Sequence, residues 1–573
     1  MESKLIHLTT AYAKKMSKDM PWSDYPRPSM VRDSYYCLNG LWDFATAASD
    51  NEPIFEKKIL VPFCPESTLS GIGEAVPDGH LMHYRRSFTL PDGFVKKRTL
   101  LHFGAVDTIC EVKLNGLTVG KHEGGYLPFS FDVTDALKEE NELYVTVRDD
   151  LDTTYTYGKQ TKKRGGMWYT PVSGIWQTVW LESLPENYIE SLKIDTDMTS
   201  AKIKVTGGTQ EKRLILHETE QVFDFIDDDI TITPTQIKRW SPEAPYLYNF
   251  TIEAGDDRIK GYFALREISV KEVAGIPRLC LNGEPYLFNG LLDQGYFPDG
   301  LFLPATSEGF RDDISRMKAL GFNTLRKHIK VEPEIFYRLC DEMGMAVFQD
   351  MVNNSDYSFI FDTALPTVGM KSFPDKCLHT DKRSRAFFEK EMRGTISHLN
   401  RFPCVLYYTV FNEGWGQFCA DDMYRVAKEC APTRIIDATS GWFVRKRSDV
   451  DSRHVYFKPV RLGELGDRPI VISEFGGYSH RIDGHLATPD NYGYKLYESI
   501  EDFREGFRAL YEDEILPLIP KGISALIYTQ VSDIEDETNG LLTYDREICK
   551  LDTEVTRALM ERLAKSIKNT END

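Results

Sequence analysis

The 573-residue chain is too long for a single hydrophobic core and predicts about three or four domains. Its 69 Lys and Arg residues against 88 Asp and Glu residues give a net charge of −19, which argues against nucleic acid as a partner because phosphates require clustered cations. The N-terminus has no apolar core of signal-peptide length and no run elsewhere approaches a membrane span, so we expect a soluble, cytoplasmic protein. The 10 cysteines form no Cys-x-x-Cys pair, so neither a zinc motif nor a redox motif is indicated.

The first part of the chain, residues 1–185, alternates short strand-like runs with Gly, Pro, Asn and Asp. In VKLNGLTVG, the dipeptide Asn115-Gly116 stands between two alternating strands, which indicates a two-residue hairpin. Many short strands joined by such turns predict a jelly-roll β-sandwich. Residues 186–270 are a second, shorter β-rich block, which we interpret as an immunoglobulin-like β-sandwich.

From residue 271 to residue 573, strand-like and helical runs alternate. The helix predicted at 307–321 has Ser307 as its N-cap and Gly321 as its stop, and the next one, at 332–344, again ends on glycine. The candidate strands, in chain order, are YLFNGLLD, NTLRKH, MAVFQDM, VLYYTVFNE, RIIDATS, HVYF, PIVISEFG and ISALIYTQ. Strand–helix units in this number predict a C-terminal (β/α)₈ TIM barrel.

Two glutamates close apolar runs of this barrel, Glu413 at the fourth strand and Glu474 at the seventh. Catalytic groups of such barrels project from the C-terminal ends of the strands. Taken alone, Asn412 and Glu413 resemble a helix start, with Asn412 as the N-cap. The second glutamate favours a catalytic pair instead, because retaining glycoside hydrolysis requires two carboxyl groups about 5–5.5 Å apart, one protonated and one ionised.

Other polar and aromatic side chains close the same runs or follow them. Arg326 is a candidate partner that keeps Glu474 ionised, and Asn412 offers an amide to a sugar hydroxyl. Aromatic faces supply the platform against which a pyranose ring stacks. The predicted substrate-binding residues are Asn412, Arg326, His328, Asp293, Gln294, Trp415, Trp442, Tyr456, Tyr528 and Gln530.

Motifs of other chemistries are incomplete. GIGEAV (71–76) has Val76 at the third glycine position of a dinucleotide fingerprint, and GYSHR (477–481) fails as a nucleophile elbow at its last position. The charge run DIEDE (533–537) is typical of a solvated surface, and no His-rich spacing indicates a metal site. We therefore expect no organic cofactor and no metal-ligand set, while a structural or activating metal ion is left open.

Several segments carry a family resemblance. VKLNGLTVGKHEGGYLPFSFDVT (112–134) and GIWQTVWLE (174–182) resemble the sugar-binding jelly roll of glycoside hydrolase family 2, and FNEGWG and SEFGG match its acid/base and nucleophile positions. The family contains β-galactosidases, β-glucuronidases, β-mannosidases and exo-β-glucosaminidases, and this chain resembles its compact three-domain members. The resemblance implies Glu413 as proton donor, Glu474 as nucleophile and Asn412 as the contact to the sugar 2-hydroxyl.

The sugar itself is left open. Gly540 and Leu541 follow Asn539, so the Asn-x-Lys signature with which glucuronidases bind the uronate is absent, although Lys327 or Lys330 could serve instead. The stretch DQGYFPDG also differs from the His-rich equivalent of the best-known β-galactosidases, which speaks against a metal-dependent site. The resemblance favours a retaining exo-β-glycosidase of β-galactosidase-like type.

Several alternatives remain beside this interpretation. On the same scaffold they are a β-glucuronidase, glucosaminidase, mannosidase or arabinopyranosidase, and an enzyme that transfers sugars to alcohols. From another class, a non-catalytic carbohydrate-binding protein would share the fold. In each case the expected partner is a carbohydrate, not nucleic acid or a membrane, and a homo-oligomer is left open.

Overall fold

The computed structural model describes residues 5–48, 51–365, 374–463 and 465–567. Over these ranges the chain forms two antiparallel β-sandwiches followed by a barrel of parallel strands, which confirms the predicted fold class. None of the helices in these ranges is long and apolar enough to cross a membrane.

The first sandwich is a jelly roll built from two facing antiparallel sheets, with strand orders β1-β12-β5-β9 and β3-β2-β4-β10-β7-β8. Asn115 and Gly116 have φ angles of 54° and 82°, the left-handed conformation that the predicted hairpin turn between β7 and β8 requires. The strands are β1 Tyr35–Cys37, β2 Gly40–Ala48, β3 Lys57–Val61, β4 His80–Phe88, β5 Arg98–Phe103, β6 Val106–Asp107, β7 Ile109–Leu114, β8 Leu117–Glu123, β9 Phe129–Asp132, β10 Asn141–Arg148, β11 Gly174–Ile175 and β12 Val179–Leu184.

The second sandwich is immunoglobulin-like, with sheets ordered β13-β14-β17 and β16-β15-β18-β19 around a separate apolar core. A three-stranded antiparallel sheet follows it and covers the amino end of the barrel, where Arg278 donates hydrogen bonds to the carbonyl oxygens of Ile519 and Ile523. The strands are β13 Ile189–Thr196, β14 Ala201–Gly207, β15 Lys212–Leu216, β16 Gln221–Phe225, β17 Asp229–Ile232, β18 Tyr248–Ala254, β19 Asp257–Phe263, β20 Ile268–Val273, β21 Ile276–Leu281 and β22 Glu284–Pro285.

The barrel sheet contains all eight predicted strands in the order β27-β26-β25-β24-β23-β32-β29-β28, with parallel pairing throughout. A small parallel pair, β30 with β31, lies outside it. The strands are β23 Phe288–Asp293, β24 Thr324–Lys327, β25 Ala346–Asp350, β26 Val405–Asn412, β27 Ile435–Ser440, β28 Asp451–Val455, β29 Ile470–Gly476, β30 Tyr478–Ser479, β31 Lys495–Leu496 and β32 Ile523–Thr529.

Helices pack around this barrel. They are α1 Glu308–Ala319, α2 Glu334–Met343, α3 Lys382–Leu399, α4 Ala420–Cys430, α5 Ile500–Ala509 and α6 Thr553–Ser566, with π-helical turns at Phe359–Ala364 and Leu510–Ile515. Gly344 ends α2 in the left-handed conformation, as predicted. Ser307 is the N-cap residue of α1, as predicted, but its hydroxyl donates to Asp24 Oδ2 at 2.9 Å and makes no capping hydrogen bond.

The chain turns sharply after β26. Glu413 and Gly414 both have positive φ angles, 53° and 83°, and a Cβ atom on Gly414 would lie 2.6 Å from the ring of Phe443. The helix that follows begins only at Ala420, so Asn412 ends a strand and is not an N-cap. The strained, non-glycine backbone at Glu413 is a conformation that proteins tolerate chiefly at functional sites.

Candidate active site

The two glutamates meet at the C-terminal mouth of the barrel. Glu413 directly follows β26, and Glu474 lies within β29. One carboxylate oxygen of each lies within 4.8 Å of the other and of a ring nitrogen of His454. This spacing matches the roughly 5–5.5 Å of retaining glycosidases and is shorter than the roughly 6.5–9.5 Å that inverting enzymes need to accommodate a water molecule.

Arg326 connects the groups beneath the pair. Its guanidinium donates to Asp350 Oδ1 at 2.9 Å, to Glu474 Oε1 at 3.0 Å and to Asn412 Oδ1 at 2.8 Å. Burial lowers the pKa of Arg326, but the two carboxylates outweigh it and leave the pKa above its ordinary value. The permanent charge of Arg326 thus lies against Glu474, and the bond to Oδ1 turns the NH₂ group of Asn412 towards the pocket.

Tyr456 holds the second oxygen of the same carboxylate. Its hydroxyl lies 2.7 Å from Glu474 Oε2 and 2.8 Å from Thr529 Oγ1, and its ring stacks on Tyr494 at 3.8 Å. Burial raises the pKa of Tyr456 well above its ordinary value, so the phenol stays a hydrogen-bond donor. Both oxygens of Glu474 are therefore held by donors, which fixes the orientation of the carboxylate.

His454 is a site residue that the sequence analysis did not single out. Its Nδ1 lies 2.7 Å from Glu413 Oε1, its Nε2 lies 2.6 Å from Ser440 Oγ, and Nε2 is 3.5 Å from Glu474 Oε1. Burial raises the pKa of Glu413, but the hydrogen bond and charge of His454 outweigh it and leave the pKa below its ordinary value. The signal was available, because His454 stands two residues before Tyr456 and alternate strand residues share a face.

The pocket above these groups is built from two domains. The jelly roll contributes the loop of residues 149–173, between β10 and β11, in which Trp168 stacks on Trp415 at 5.2 Å. The lining residues are Lys159, Met167, Leu292, Gln294, His328, Asn412, Glu413, Trp415, Tyr456, Glu474, Tyr494, Thr529, Glu537 and Asn539. The sequence analysis missed this loop as part of the site, and it also missed Glu537 and Asn539, which follow β32. Nothing in the local pattern of either segment indicates contact with β26 and β29.

Five of the predicted binding residues lie on the pocket wall, namely Gln294, His328, Asn412, Trp415 and Tyr456. One ring nitrogen of His328 already has a hydrogen-bond partner within the protein, since Nδ1 lies 2.7 Å from Asp350 Oδ2. Burial lowers the pKa of His328 to about 4, so its ring is neutral near pH 7 and offers a polar but uncharged surface.

Asp293, Tyr528 and Trp442 do not line the pocket. Asp293 is held by Lys327 Nζ at 2.7 Å, and Trp442 packs edge-on against His454 at 5.7 Å. Tyr528 is fully buried against Phe507 and Tyr511, whereas its neighbour Thr529 lines the pocket. Successive strand side chains point to opposite faces, so only one of two neighbours at a strand end faces the substrate.

Gln530 does not line the pocket but holds two residues that do. Its Nε2 donates to Glu537 Oε2 at 2.5 Å and to Asn539 Oδ1 at 2.8 Å, and these two residues do line the pocket. It therefore positions two polar groups of the pocket without forming part of the lining.

The expectation that DIEDE (533–537) is a solvated surface is wrong. All five residues are buried where the run folds between the barrel mouth and the jelly-roll loop. Glu537 reaches the pocket, and the other three carboxylates have partners. These partners are Lys550 Nζ for Asp533 at 2.6 Å, the backbone N–H of Thr170 for Glu535 at 3.0 Å and Arg164 for Asp536 at 3.0 Å.

Lys327 and Lys330 do not replace the uronate-binding lysine of glucuronidases. Both are buried and pair with Glu332, at 2.7 Å and 2.8 Å respectively. Neither is part of the pocket wall, so the suggestion that one of them could bind a sugar carboxylate is wrong.

Within the described residues, the side chains at the pocket that could together hold a metal ion are Glu413, His454 and Glu474. Their donor atoms already take part in hydrogen bonds to Arg326, Tyr456 and Ser440. Two acids joined by an imidazole in this way are suited to holding and moving a proton.

Comparison with known proteins identifies the family. The model described as "Glycosyl hydrolase 2 galactose-binding domain-like" matches residues 78–177, and "Glycosyl hydrolases family 2, TIM barrel domain" matches residues 278–498. Together these segments make up more than half of the chain.

Curated relatives and solved structures agree with these matches. A β-galactosidase of Thermoanaerobacter pseudethanolicus is 27% identical over 47% of this chain and 39% of its own, and one of Clostridium acetobutylicum is 24% identical over 81% and 53%. This chain thus spans about half, or less, of their length. The structure of a β-D-glucuronidase from Dictyoglomus thermophilum matches with a TM-score of 0.72 and 19% identity, over 94% of this chain and 98% of that one. The chain belongs to glycoside hydrolase family 2.

Proposed function

We propose that the protein is a retaining exo-β-glycosidase that hydrolyses terminal β-linked sugars. The observation that carries this proposal is the carboxylate pair, whose oxygens lie within 4.8 Å at the ends of the fourth and seventh barrel strands. The two carboxylates have different partners, Arg326 and Tyr456 for Glu474 and His454 for Glu413. Different surroundings are what separate a nucleophile from an acid.

In the first step Glu474 attacks the anomeric carbon from the face opposite the leaving group. The glycosidic C–O bond breaks as Glu413 gives its proton to the departing oxygen, and a glycosyl ester forms on Glu474. The Asn412 NH₂ group is placed to bind the 2-hydroxyl beside this carbon. Arg326 holds the Glu474 carboxylate in position until the bond forms.

In the second step Glu413, now a carboxylate, takes a proton from water as the water attacks the anomeric carbon. The ester bond breaks, Glu474 is released as a carboxylate, and two inversions restore the β configuration. The bond between His454 and Glu413 is compatible with both states, since Nδ1 accepts from the acid or donates to the carboxylate while Nε2 exchanges roles with Ser440.

Among glycosidases, we favour β-galactosidase-like specificity. Relatives named β-galactosidase support it, as does the missing Asn-x-Lys signature at Asn539. The structural match named β-D-glucuronidase keeps a glucuronidase as the alternative.

A panel of nitrophenyl β-glycosides tests the proposal. We expect release of nitrophenol from one or more of the galactoside, glucoside, glucuronide, mannoside and arabinoside, and proton NMR should detect the β-anomer of the free sugar first. An α-anomer formed first would contradict retention. Sugar binding without release would support a non-catalytic carbohydrate-binding protein, and products formed on an added alcohol would measure transfer.

Replacing His454 should move the alkaline limb of the pH profile. Without this histidine, burial still raises the pKa of Glu413 and the main opposing influence is gone, so the pKa rises. Because Glu413 must be protonated to act as an acid, we expect the alkaline limb of kcat/KM in His454→Phe to lie about one pH unit higher than in the wild type. The measurement is kcat/KM between pH 4 and pH 9 with the best nitrophenyl substrate.

His454→Asn is the matched variant, because its amide NH₂ restores a neutral donor near the Nδ1 position. Its alkaline limb should fall between those of the wild type and His454→Phe. An alkaline limb at the same pH in all three proteins would show that His454 does not control the protonation of Glu413.

A further inference from the structure

Lys159 reaches the pocket from the jelly-roll loop, and its position is fixed on both sides. Tyr157 donates its hydroxyl to the carbonyl oxygen of Ser355 in the barrel at 2.8 Å, and Gln160 donates Nε2 to Asp107 Oδ2 in the jelly roll at 3.0 Å. Lys159 lies between these anchors and lines the pocket, on a backbone held by both domains.

The ammonium of Lys159 is not engaged by an acid. In the described part of the chain no carboxylate lies within 4.0 Å of its Nζ, which is 5.6 Å from the ring centre of Tyr169 and 5.8 Å from that of Trp415. Because the residue lines the pocket, its N–H donors are available to a bound sugar.

Glu537 is the acceptor on the same wall. Its carboxylate is held by Gln530, and its backbone makes a reciprocal pair of hydrogen bonds with Ile534 at 2.8 Å and 2.9 Å. Burial raises the pKa of Glu537, and the charge of Lys159 opposes this effect, so the two groups interact across the pocket without forming an ion pair. A donor and an acceptor that face one pocket and do not touch are arranged for a ligand between them.

The charged groups of the pocket wall favour neutral sugars over uronates. Among the described lining residues, Glu413, Glu474 and Glu537 contribute three carboxyl groups, whereas Lys159 alone contributes an ammonium. The guanidinium of Arg326 does not offset this excess of acidic groups for a ligand, because it already forms ion pairs with Asp350 and Glu474. A uronate would add its own carboxylate beside these carboxyl groups, whereas a sugar hydroxyl accepts from an ammonium and donates to a carboxylate at once.

We infer that Lys159 and Glu537 determine specificity by binding hydroxyl groups of a neutral terminal sugar and by disfavouring uronides. This inference rests on the proposed glycosidase function and extends it to the substrate class. Lys159 is thus not a substitute for the missing uronate-binding lysine, although no other lysine is among the described residues of the wall.

Glycosides that differ only at C6 test the inference. We would measure kcat/KM for nitrophenyl β-galactoside against β-galacturonide and for β-glucoside against β-glucuronide. In the pair whose neutral glycoside is cleaved faster, the kcat/KM of the wild type should be roughly 100-fold or more higher for the neutral sugar than for the uronide. Glu537→Gln should lower activity on the neutral sugar and narrow this preference by about 10-fold, because one repelling charge is gone.

Lys159→Met should lower activity on the neutral sugar by about 10-fold and leave the preference for it intact or larger. Lys162→Met is the matched control, because Lys162 belongs to the same loop but pairs with Asp78 on the exposed surface at 2.6 Å. This variant should retain wild-type activity on every substrate.

Two results would overturn this inference and leave the proposed glycosidase function standing. One is a wild type that cleaves uronides as well as or better than neutral sugars, and the other is a Lys159→Met variant that loses activity only on uronides, which would assign this lysine to a sugar carboxylate. A folded protein that hydrolyses no glycoside of the panel would overturn the proposed function itself, and this inference with it.

Discussion

Glu474→Gln is expected to lower kcat on the preferred nitrophenyl glycoside by roughly 10⁵-fold, as is common when a nucleophile is lost. The amide has the same shape as the carboxylate but cannot form the glycosyl ester. At 1.36 kcal/mol per tenfold change, this loss corresponds to about 7 kcal/mol of transition-state stabilisation. The measurement is steady-state turnover, with circular dichroism to establish that the variant is folded.

Glu474→Ala adds a chemical test of the same assignment. The shortened side chain leaves room for azide, which should restore part of the turnover and give an α-glycosyl azide, because the anion enters from the nucleophile's side. Glu342→Gln, on the exposed surface of α2, is the control and should match the wild type. Wild-type turnover in either Glu474 variant would remove this residue from the role of nucleophile.

Glu413→Ala should show a loss that depends on the leaving group. A methyl glycoside needs a proton on its departing oxygen, so we expect its kcat/KM to fall by about 10³-fold, within the range of general acid catalysis. A dinitrophenyl glycoside departs without that proton, and its kcat/KM should fall by no more than about 10-fold. The measurement is kcat/KM across a series of leaving groups of graded pKa.

The second half of the reaction provides an internal control for this variant. Without the base, the glycosyl ester on Glu474 should accumulate with the activated substrate and give a burst of dinitrophenol. Azide should then release the sugar as a β-glycosyl azide. Equal losses on good and poor leaving groups would show that Glu413 is not the acid.

Much of the architecture follows from local pattern. Each barrel strand is a short apolar run ended by a polar residue, and this pattern is set by burial, so all eight were predicted. Glu413 and Glu474 were singled out for the same reason, because an acid directly after or within a buried run is conspicuous. Their meeting then follows from barrel geometry, which brings the carboxyl ends of all strands to one face.

The remaining site residues depend on contacts between distant segments. Lys159 and Glu537 lie 378 positions apart in the chain, and no local pattern indicates that they share a pocket. The run 533–537 seemed solvated because charge normally marks a surface, and its burial rests on partners supplied by Thr170 and Arg164. Tyr528 was misplaced for another reason, since a strand end does not reveal by itself which of two neighbours faces inwards.

The jelly-roll loop has a consequence for how catalysis is coupled to stability. Lys159 and Trp168 belong to a loop of the jelly roll, whereas the glutamate pair belongs to the barrel. A barrel that keeps its native strands after the sandwich has separated from it no longer has a complete pocket. Turnover is therefore expected to depend on the free energy with which the two domains associate as well as on the stability of each domain. A substitution that removes the hydrogen bond between Tyr157 and Ser355 should lower activity although it lies away from the reacting atoms.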